Sequence, residues 1–159
     1  MIALRPATPE DVDAIAEVWF HGWRDGHLGH VPEALLPHRA GLESFRQRVP
    51  ERIALTTVAT LESMVIGFVS VHADELEQLF VAARARGSAA AVALIRHAEA
   101  QIATAYELAW LAVVAGNARA RRFYAREGWQ DVGPFEYVAQ VVGGGIPLDC
   151  HRYERRLRP

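Results

Sequence analysis

Apolar and polar positions along the chain change period several times, and each change marks an element. Residues 2–5, Ile-Ala-Leu-Arg, alternate as a short strand. Thr8-Pro9-Glu10-Asp11 then starts a helix: Thr8 can cap, Pro9 fits the first helical position, and Asp11 completes a capping-box spacing. Val12, Ile15, Val18 and Trp19 recur behind it at helical intervals. Residues 22–32, rich in Gly and His, read as a loop. Residues 32–49 read as a second helix whose register blurs at Pro37 and Gly41. Residues 53–60 and 64–72 are rich in Val, Ile, Thr and Phe and flank Glu62-Ser63, which predicts a hairpin. Residues 76–81 form a further strand. An Ala-rich helix follows over 87–104, with a stripe at Val92, Ile95, Ala98 and Ile102. Residues 108–114 are an apolar, buried strand. Residues 117–127 form a helix closed by Gly128. Two last strands, 129–142 (broken near Gly133-Pro134) and 148–157, surround Gly143-Gly144-Gly145. The prediction is one mixed α/β domain over 1–159, with seven strands and four helices.

A chain of 159 residues fits one domain able to bury its own core. A net charge of -2 argues against life on the phosphate field of nucleic acid, which selects a basic excess. Cys150 is the only cysteine, so no internal disulfide or cysteine-based zinc cluster can form, as befits a reducing cytoplasm. Without a run of about 18 apolar residues, no membrane helix is expected. The start carries no signal-peptide pattern. The expected location is cytoplasmic.

Two segments carry candidate chemistry. In Leu79-Phe80-Val81-Ala82-Ala83-Arg84-Ala85-Arg86-Gly87-Ser88-Ala89-Ala90-Ala91 a strand runs through a small-residue turn into a helix start. The first N–H groups of a helix lack internal partners and carry partial positive charge. Small side chains at Gly87, Ser88, Ala89, Ala90 and Ala91 let a pyrophosphate approach that backbone, and Arg86 adds charge. The bland alternative is an Ala-rich packing face. Neither a Walker loop nor a dinucleotide fingerprint is present. In the second segment Asn117 can cap a helix, and Asn117, Ala120, Arg121 and Tyr124 follow helical spacing along one face. That face could track an extended thiol-bearing chain, with the phenol at its reactive end.

The run N-A-R-A-R-R-F-Y-A-R-E-G-W (117–129) resembles the Asn, Ala, Phe-Tyr, Gly-Phe/Trp motif of the GNAT superfamily of N-acetyltransferases. About 30 residues upstream, R-G-S-A-A-A resembles that family's pyrophosphate loop, Gln/Arg-x-x-Gly-x-Gly/Ala. The preceding L-E-Q-L-F-V resembles its fourth strand, and L-R-P-A-T-P-E-D its first strand and helix start. The likeness is best over 73–129 and poorest over 24–52. Ala89 stands where Gly is usual and Ala83 where Pro is common. A second loop register, Arg84-x-x-Gly87-x-Ala89, shortens the turn.

The resemblance implies a mostly antiparallel central sheet of about seven strands, splayed between the fourth and fifth. It implies acetyl-CoA as cosubstrate and direct attack of a primary amine on the thioester, without an acyl-enzyme. By motif position Tyr124 is the candidate general acid. Glu75 is the candidate base by position, with Glu77 on the same strand face. The backbones of Leu79 and Val81 would pair with the pantetheine arm, and the N–H of Phe80 would hold the oxyanion. Arg86 to Ala91, with Asn117, Ala120, Arg121 and Tyr124, complete the cofactor set. Trp19, Trp23, His27 and His30 lie where such proteins build the acceptor pocket. The histidines form no metal-binding helical pair, so no metal is expected. Cys150 and His151 are adjacent strand residues facing opposite ways, which disfavours a nucleophilic pair. The acidic balance and aromatic loop favour a small-molecule acceptor. The resemblance also allows a homodimer, with no nucleic-acid or membrane partner. A non-catalytic acyl-CoA-binding module and an enzyme using a longer acyl-CoA are the alternatives.

Overall fold

A computed structural model describes residues 1–158. Seven strands form one sheet in the order β1-β2-β3-β4-β5-β7-β6. They are β1 (Ile2–Pro6), β2 (Thr56–Leu61), β3 (Met64–His72), β4 (Glu75–Val81), β5 (Leu108–Val114), β6 (Gln130–Val141) and β7 (Gly144–Arg156). Every neighbouring pair is antiparallel except β4 with β5. Four α-helices cover the sheet: α1 (Val12–His27), α2 (Leu42–Arg46), α3 (Ala90–Ala103) and α4 (Ala118–Arg126).

Two apolar layers sandwich the sheet. On one face Leu94, Ile95, Ala98 and Ile102 of α3 pack with Ala59, Val69, Leu76 and Leu111. Glu99 is buried in this helix face, where it accepts from the Trp129 indole at 3.0 Å and from Arg96 at 2.8 Å, so its charge is paired rather than stranded. On the other face Ile15, Trp19 and Trp23 of α1 meet Phe45, Val58 and Phe68. The capping box at Thr8 and Asp11 is present, and Asp11 also accepts two bonds from Arg5, at 2.7 and 2.9 Å.

Several expected boundaries move. Residues 22–27 are not loop but the last turns of α1. Gly22 and Gly26 are there for close approach: a Cβ at Gly22 would sit 2.5 Å from Phe80 Cδ1, and one at Gly26 2.5 Å from Asn117 Nδ2. The expected second helix over 32–49 is divided into a 3-10 segment, Glu33–Arg39, and the five-residue α2. Pro37 removes a backbone donor, and Gly41 is fully extended at φ -127°, ψ 163°. Pro50–Leu55 is a further 3-10 turn, so the strand expected from residue 53 begins at Thr56. α3 begins at Ala90 rather than Gly87. Val92, expected in its buried stripe, is exposed because it lies about 120° around the helix from Ala98. β6 is continuous, with a bulge between Asp131 and Gly133, and β7 starts four residues early, at Gly144.

Candidate active site

β4 and β5 touch as a ladder at one point. Glu75 pairs with Trp110, whose N–H donates to the Asp74 carbonyl at 3.1 Å; no second pair joins the two strands among the described residues. Beyond that stitch the strands separate and open a cavity of about 700 Å³. Ala82 N–H donates to Ile66 of β3 at 2.8 Å, and Phe80 opposes Phe68 in the same register. Backbone groups alternate along a strand, so the N–H of Phe80 also faces β3, while those of Leu79 and Val81 turn toward the gap.

The register of β4 slips beside the cavity: Ser70 opposes Gln78 and Val71 opposes Leu76, which makes Glu77 an extra residue. A bulge bends the strand and re-aims its side chains. The Leu76 side chain is buried in the α3 layer, and Glu75 and Glu77 on either side of it line the cavity. Different partners hold them. Tyr137 of β6 donates its hydroxyl to Glu75 at 2.6 Å, and Arg52 donates Nε to Glu77 at 2.6 Å. Burial raises the pKa of Glu75, the Tyr137 bond opposes that rise, and Glu77 adds to it. The Tyr137 phenol is pushed up in turn, first by burial and then by its bond to Glu75.

Across the gap, the Asn117 side chain accepts from Ala120 N–H at 3.2 Å and caps α4. Asn117, Ala120 and Tyr124 line the cavity. Tyr124 is buried, which raises its phenol well above the usual range. Arg121, expected on the same helix face, is drawn aside. Its guanidinium donates to Tyr153 Oη at 3.2 Å, Ala115 O at 2.9 Å and Asp131 at 3.1 Å, and it is absent from the lining.

Residues 86–91 form the turn into α3, with Gly87 at φ +82° and the Ser88 hydroxyl accepting from Ala90 N–H at 3.2 Å. Only glycine takes that backbone conformation without strain. This turn is outside the cavity lining, and Arg86 is paired with Asp25 of α1 at 2.5 Å. Asp25 precedes Gly26, the residue packed on Asn117. The last turn of α1 therefore touches both the 86–91 turn and the start of α4, which brings the two motifs to the same end of the gap.

Trp19, Trp23 and His27 line the cavity. His27 stacks on Trp23 at 4.9 Å with an interplanar angle of 6°, and its Nδ1 lies 3.0 Å from Trp23 O. Desolvation lowers its pKa to about 4. His30 is not brought in; its ring lies against Gly116.

Sequence reasoning missed Tyr137, Arg39, Arg48 and Arg52, all of which line the cavity. Tyr137 is 62 residues from Glu75, and only sheet register joins them. The three arginines lie where the family likeness is poorest. Cys150 also lines the cavity as a buried thiol whose pKa burial pushes up to about 11, while His151 bonds Asp131 at 3.0 Å instead. Among the described residues, no group of three or more His, Cys, Asp or Glu side chains comes together to hold a metal ion. None of their helices is long and apolar enough to cross a membrane.

Solved structures share this fold. A GCN5-related N-acetyltransferase from Rhodopseudomonas palustris superposes with a TM-score of 0.73 at 20% identity, covering 97% of this chain and 94% of its own. PaiA N-acetyltransferase from Thermoplasma acidophilum, solved with coenzyme A, gives 0.74 at 19%, covering 98% and 99%. YncA from Salmonella typhimurium, solved with acetyl-CoA, gives 0.71 at 16%, covering 100% and 95%. No functionally curated protein matches by sequence. Residues 8–143 match the family model described as the acetyltransferase (GNAT) domain. With that match spanning most of the splayed-sheet architecture, the chain belongs to the GNAT acetyltransferase family.

Proposed function

We propose that the protein transfers an acetyl group from acetyl-CoA to a primary amine by direct attack on the thioester. The observation that carries this reading is the gap beyond the Glu75–Trp110 stitch, with Glu75 and Tyr124 both on the cavity it opens. Two solved relatives of the same fold carry coenzyme A or acetyl-CoA. In this reading the pantetheine arm lies along β4 from the 86–91 turn and takes the gap-facing N–H of Val81, which brings the thioester beside Leu79. The pyrophosphate meets the N-terminal N–H groups of α3 near residues 86–91, where the macrodipole favours an anion. Asn117 and Ala120 flank the arm.

The amine must lose a proton before it can attack. Glu75 takes that proton: its pKa is raised toward the range where a carboxylate is an effective base, and Tyr137 orients it. Glu77, already bonded to Arg52, serves less well. As the tetrahedral centre forms, its oxygen takes charge that a gap-facing β4 N–H stabilises. Register gives this task to Leu79, the gap-facing N–H that the arm leaves free, and not to Phe80, whose N–H is spent on β3. The C–S bond then breaks, and Tyr124 donates its proton to the departing thiolate; burial keeps that phenol protonated. Trp19, Trp23 and His27 form the acceptor wall, with His27 neutral.

Thiol release from acetyl-CoA, followed over a panel of amines, tests the reading. Turnover that needs an amine and falls in Glu75→Gln supports it. Coenzyme A binding without turnover of any amine overturns it.

A further inference from the structure

At the acceptor end of the cavity three arginines and three carboxylates (Glu51, Glu75 and Glu77) meet, but the carboxylates are not shared evenly among the arginines. Arg39, Arg48 and Arg52 all line that end. Arg52 meets Glu77 at 2.6 Å and Glu51 at 3.9 Å, and Glu75 is held by Tyr137. Arg39 and Arg48 form no ion pair among the described residues. Arg39 is 6% exposed, yet its guanidinium reaches only the carbonyls of His38 at 3.1 Å and Gln140 at 2.9 Å. Arg48 donates Nε to Ser44 O at 3.1 Å, and its Cζ stands 4.2 Å from the centre of the Trp19 ring and 4.5 Å from that of Phe45.

A buried cation without a counter-ion is costly unless something completes it. Burial, then repulsion from Arg39 and Arg52, lowers the pKa of Arg48 to about 9, with Glu51 opposing the fall only in part. Two buried donors on cavity-lining residues, Arg48 Nη2 and Trp19 Nε1, find no acceptor among the described residues. Both deficits have one sign. The carboxylates of the wall pair with Arg52 or are held by Tyr137, which leaves Arg39 and Arg48 without a counter-ion and two donors without an acceptor, and an oxyanion supplies both. Guanidinium groups bind planar carboxylates and phosphates especially well, because their fork of donors matches those oxygens.

Resting on acetyl transfer to an amine at this site, we propose that the acceptor is a small amine that also carries a carboxylate or phosphate, bound through Arg48 and Arg39. The anion sits between these arginines, and the amine reaches back toward Glu75. A polyamine or an aminoglycoside-type polycation brings further positive charge and no anion to this wall and leaves its donors unmet.

Matched acceptor pairs test this with the full chain and acetyl-CoA: L-alanine against L-alaninamide, L-phenylalanine against its amide, and O-phosphoethanolamine against ethanolamine. The anionic member of at least one pair is expected to show a kcat/KM at least tenfold higher, and the pair that responds identifies carboxylate or phosphate. Arg48→Gln and Arg39→Gln are each expected to raise KM for that member at least tenfold while changing the neutral member less than twofold. Arg48→Lys, which keeps the charge, restores part of the loss. Preference for neutral members or spermidine, or equal loss for both members of a pair, overturns the proposal. A binding arm separates this idea from acetyl transfer itself. With coenzyme A present, millimolar succinate or inorganic phosphate is expected to raise the Tm of the parent chain but not of Arg48→Gln. If that shift occurs while no amine turns over, acetyl transfer fails and the anion site stands. If neither anion shifts Tm, the anion site fails.

Discussion

The Tyr137 hydroxyl donates to the Glu75 carboxylate at 2.6 Å, joining β6 to β4 across the cavity mouth. This bond lowers the pKa of Glu75 against the rise that burial imposes. Tyr137→Phe leaves burial unopposed, so the acidic limb of the kcat/KM profile should move to higher pH. Well below that limb the rate should fall by up to about tenfold for each pH unit the limb moves, while far above it the rate should change little. A pH–rate profile in which that limb stays fixed contradicts the base role of Glu75.

Glu75→Gln should lower kcat about 10²-fold or more, the usual scale for losing a general base, while making the fold slightly more stable near neutrality. A carboxyl whose folded pKa exceeds its unfolded value binds more protons folded than unfolded between those values. Its contribution to stability therefore declines as pH rises through that interval, and Gln removes the decline. Urea denaturation at pH 4 and pH 7 reads the difference.

Tyr124→Phe should cut kcat about 10²-fold with little change in coenzyme A affinity, because the ring keeps its packing among Phe123, Trp129 and Tyr153. Stopped-flow thiol release together with calorimetric coenzyme A binding separates the two effects. A fall in affinity without a fall in kcat assigns Tyr124 to packing alone.

His27 has its folded pKa near 4, below the ordinary 6.5. Protonation in the unfolded chain thus competes with folding: the stability contribution is complete above about pH 6.5 and disappears as pH falls through about 4. Its size is about 3 kcal/mol. Urea midpoints measured from pH 7 to pH 4 should fall in the parent and flatten in His27→Phe.

Gly22→Ala sets helix propensity against collision. Alanine gains about 1 kcal/mol in a helix interior, but its Cβ would stand 2.5 Å from Phe80 Cδ1, and such overpacking costs about 1–3 kcal/mol. The variant should be destabilised by about 1 kcal/mol and should bind coenzyme A more weakly, since Phe80 lies in the β4 segment that borders the gap. Gly41→Ala, with open space around it, should not affect binding and serves as the control.

The strands were legible because their alternation is local; even the buried β5 shows itself in the run from Leu108 to Val114. Two kinds of information were not local. Gly22 and Gly26 look like loop residues until Phe80 and Asn117 are seen against them. Glu75 and Glu77 look equivalent until a bulge and two remote partners, Tyr137 and Arg52, distinguish them. Motif spacing puts Asn117, Ala120, Arg121 and Tyr124 on one helix face, but it could not show that Arg121 turns from the cavity to bond Ala115, Tyr153 and Asp131, because those partners are set by β6 and β7. The arginines of the acceptor wall had no periodic signal at all, because Pro37, Gly41 and Pro50 divide their segment into short turns.

Paired as a ladder only where Glu75 meets Trp110 among the described residues, β4 and β5 divide the sheet into a four-stranded and a three-stranded plate that meet along a seam. The unused amides of β4 lie along that seam inside the molecule rather than on its rim, where an open strand edge invites pairing with other chains. A ligand threaded there acts as a substitute strand, so occupancy and rigidity are coupled. Hydrogen exchange at Leu79 and Val81 should slow when coenzyme A binds, while exchange at Phe80, already bonded to β3, should change little.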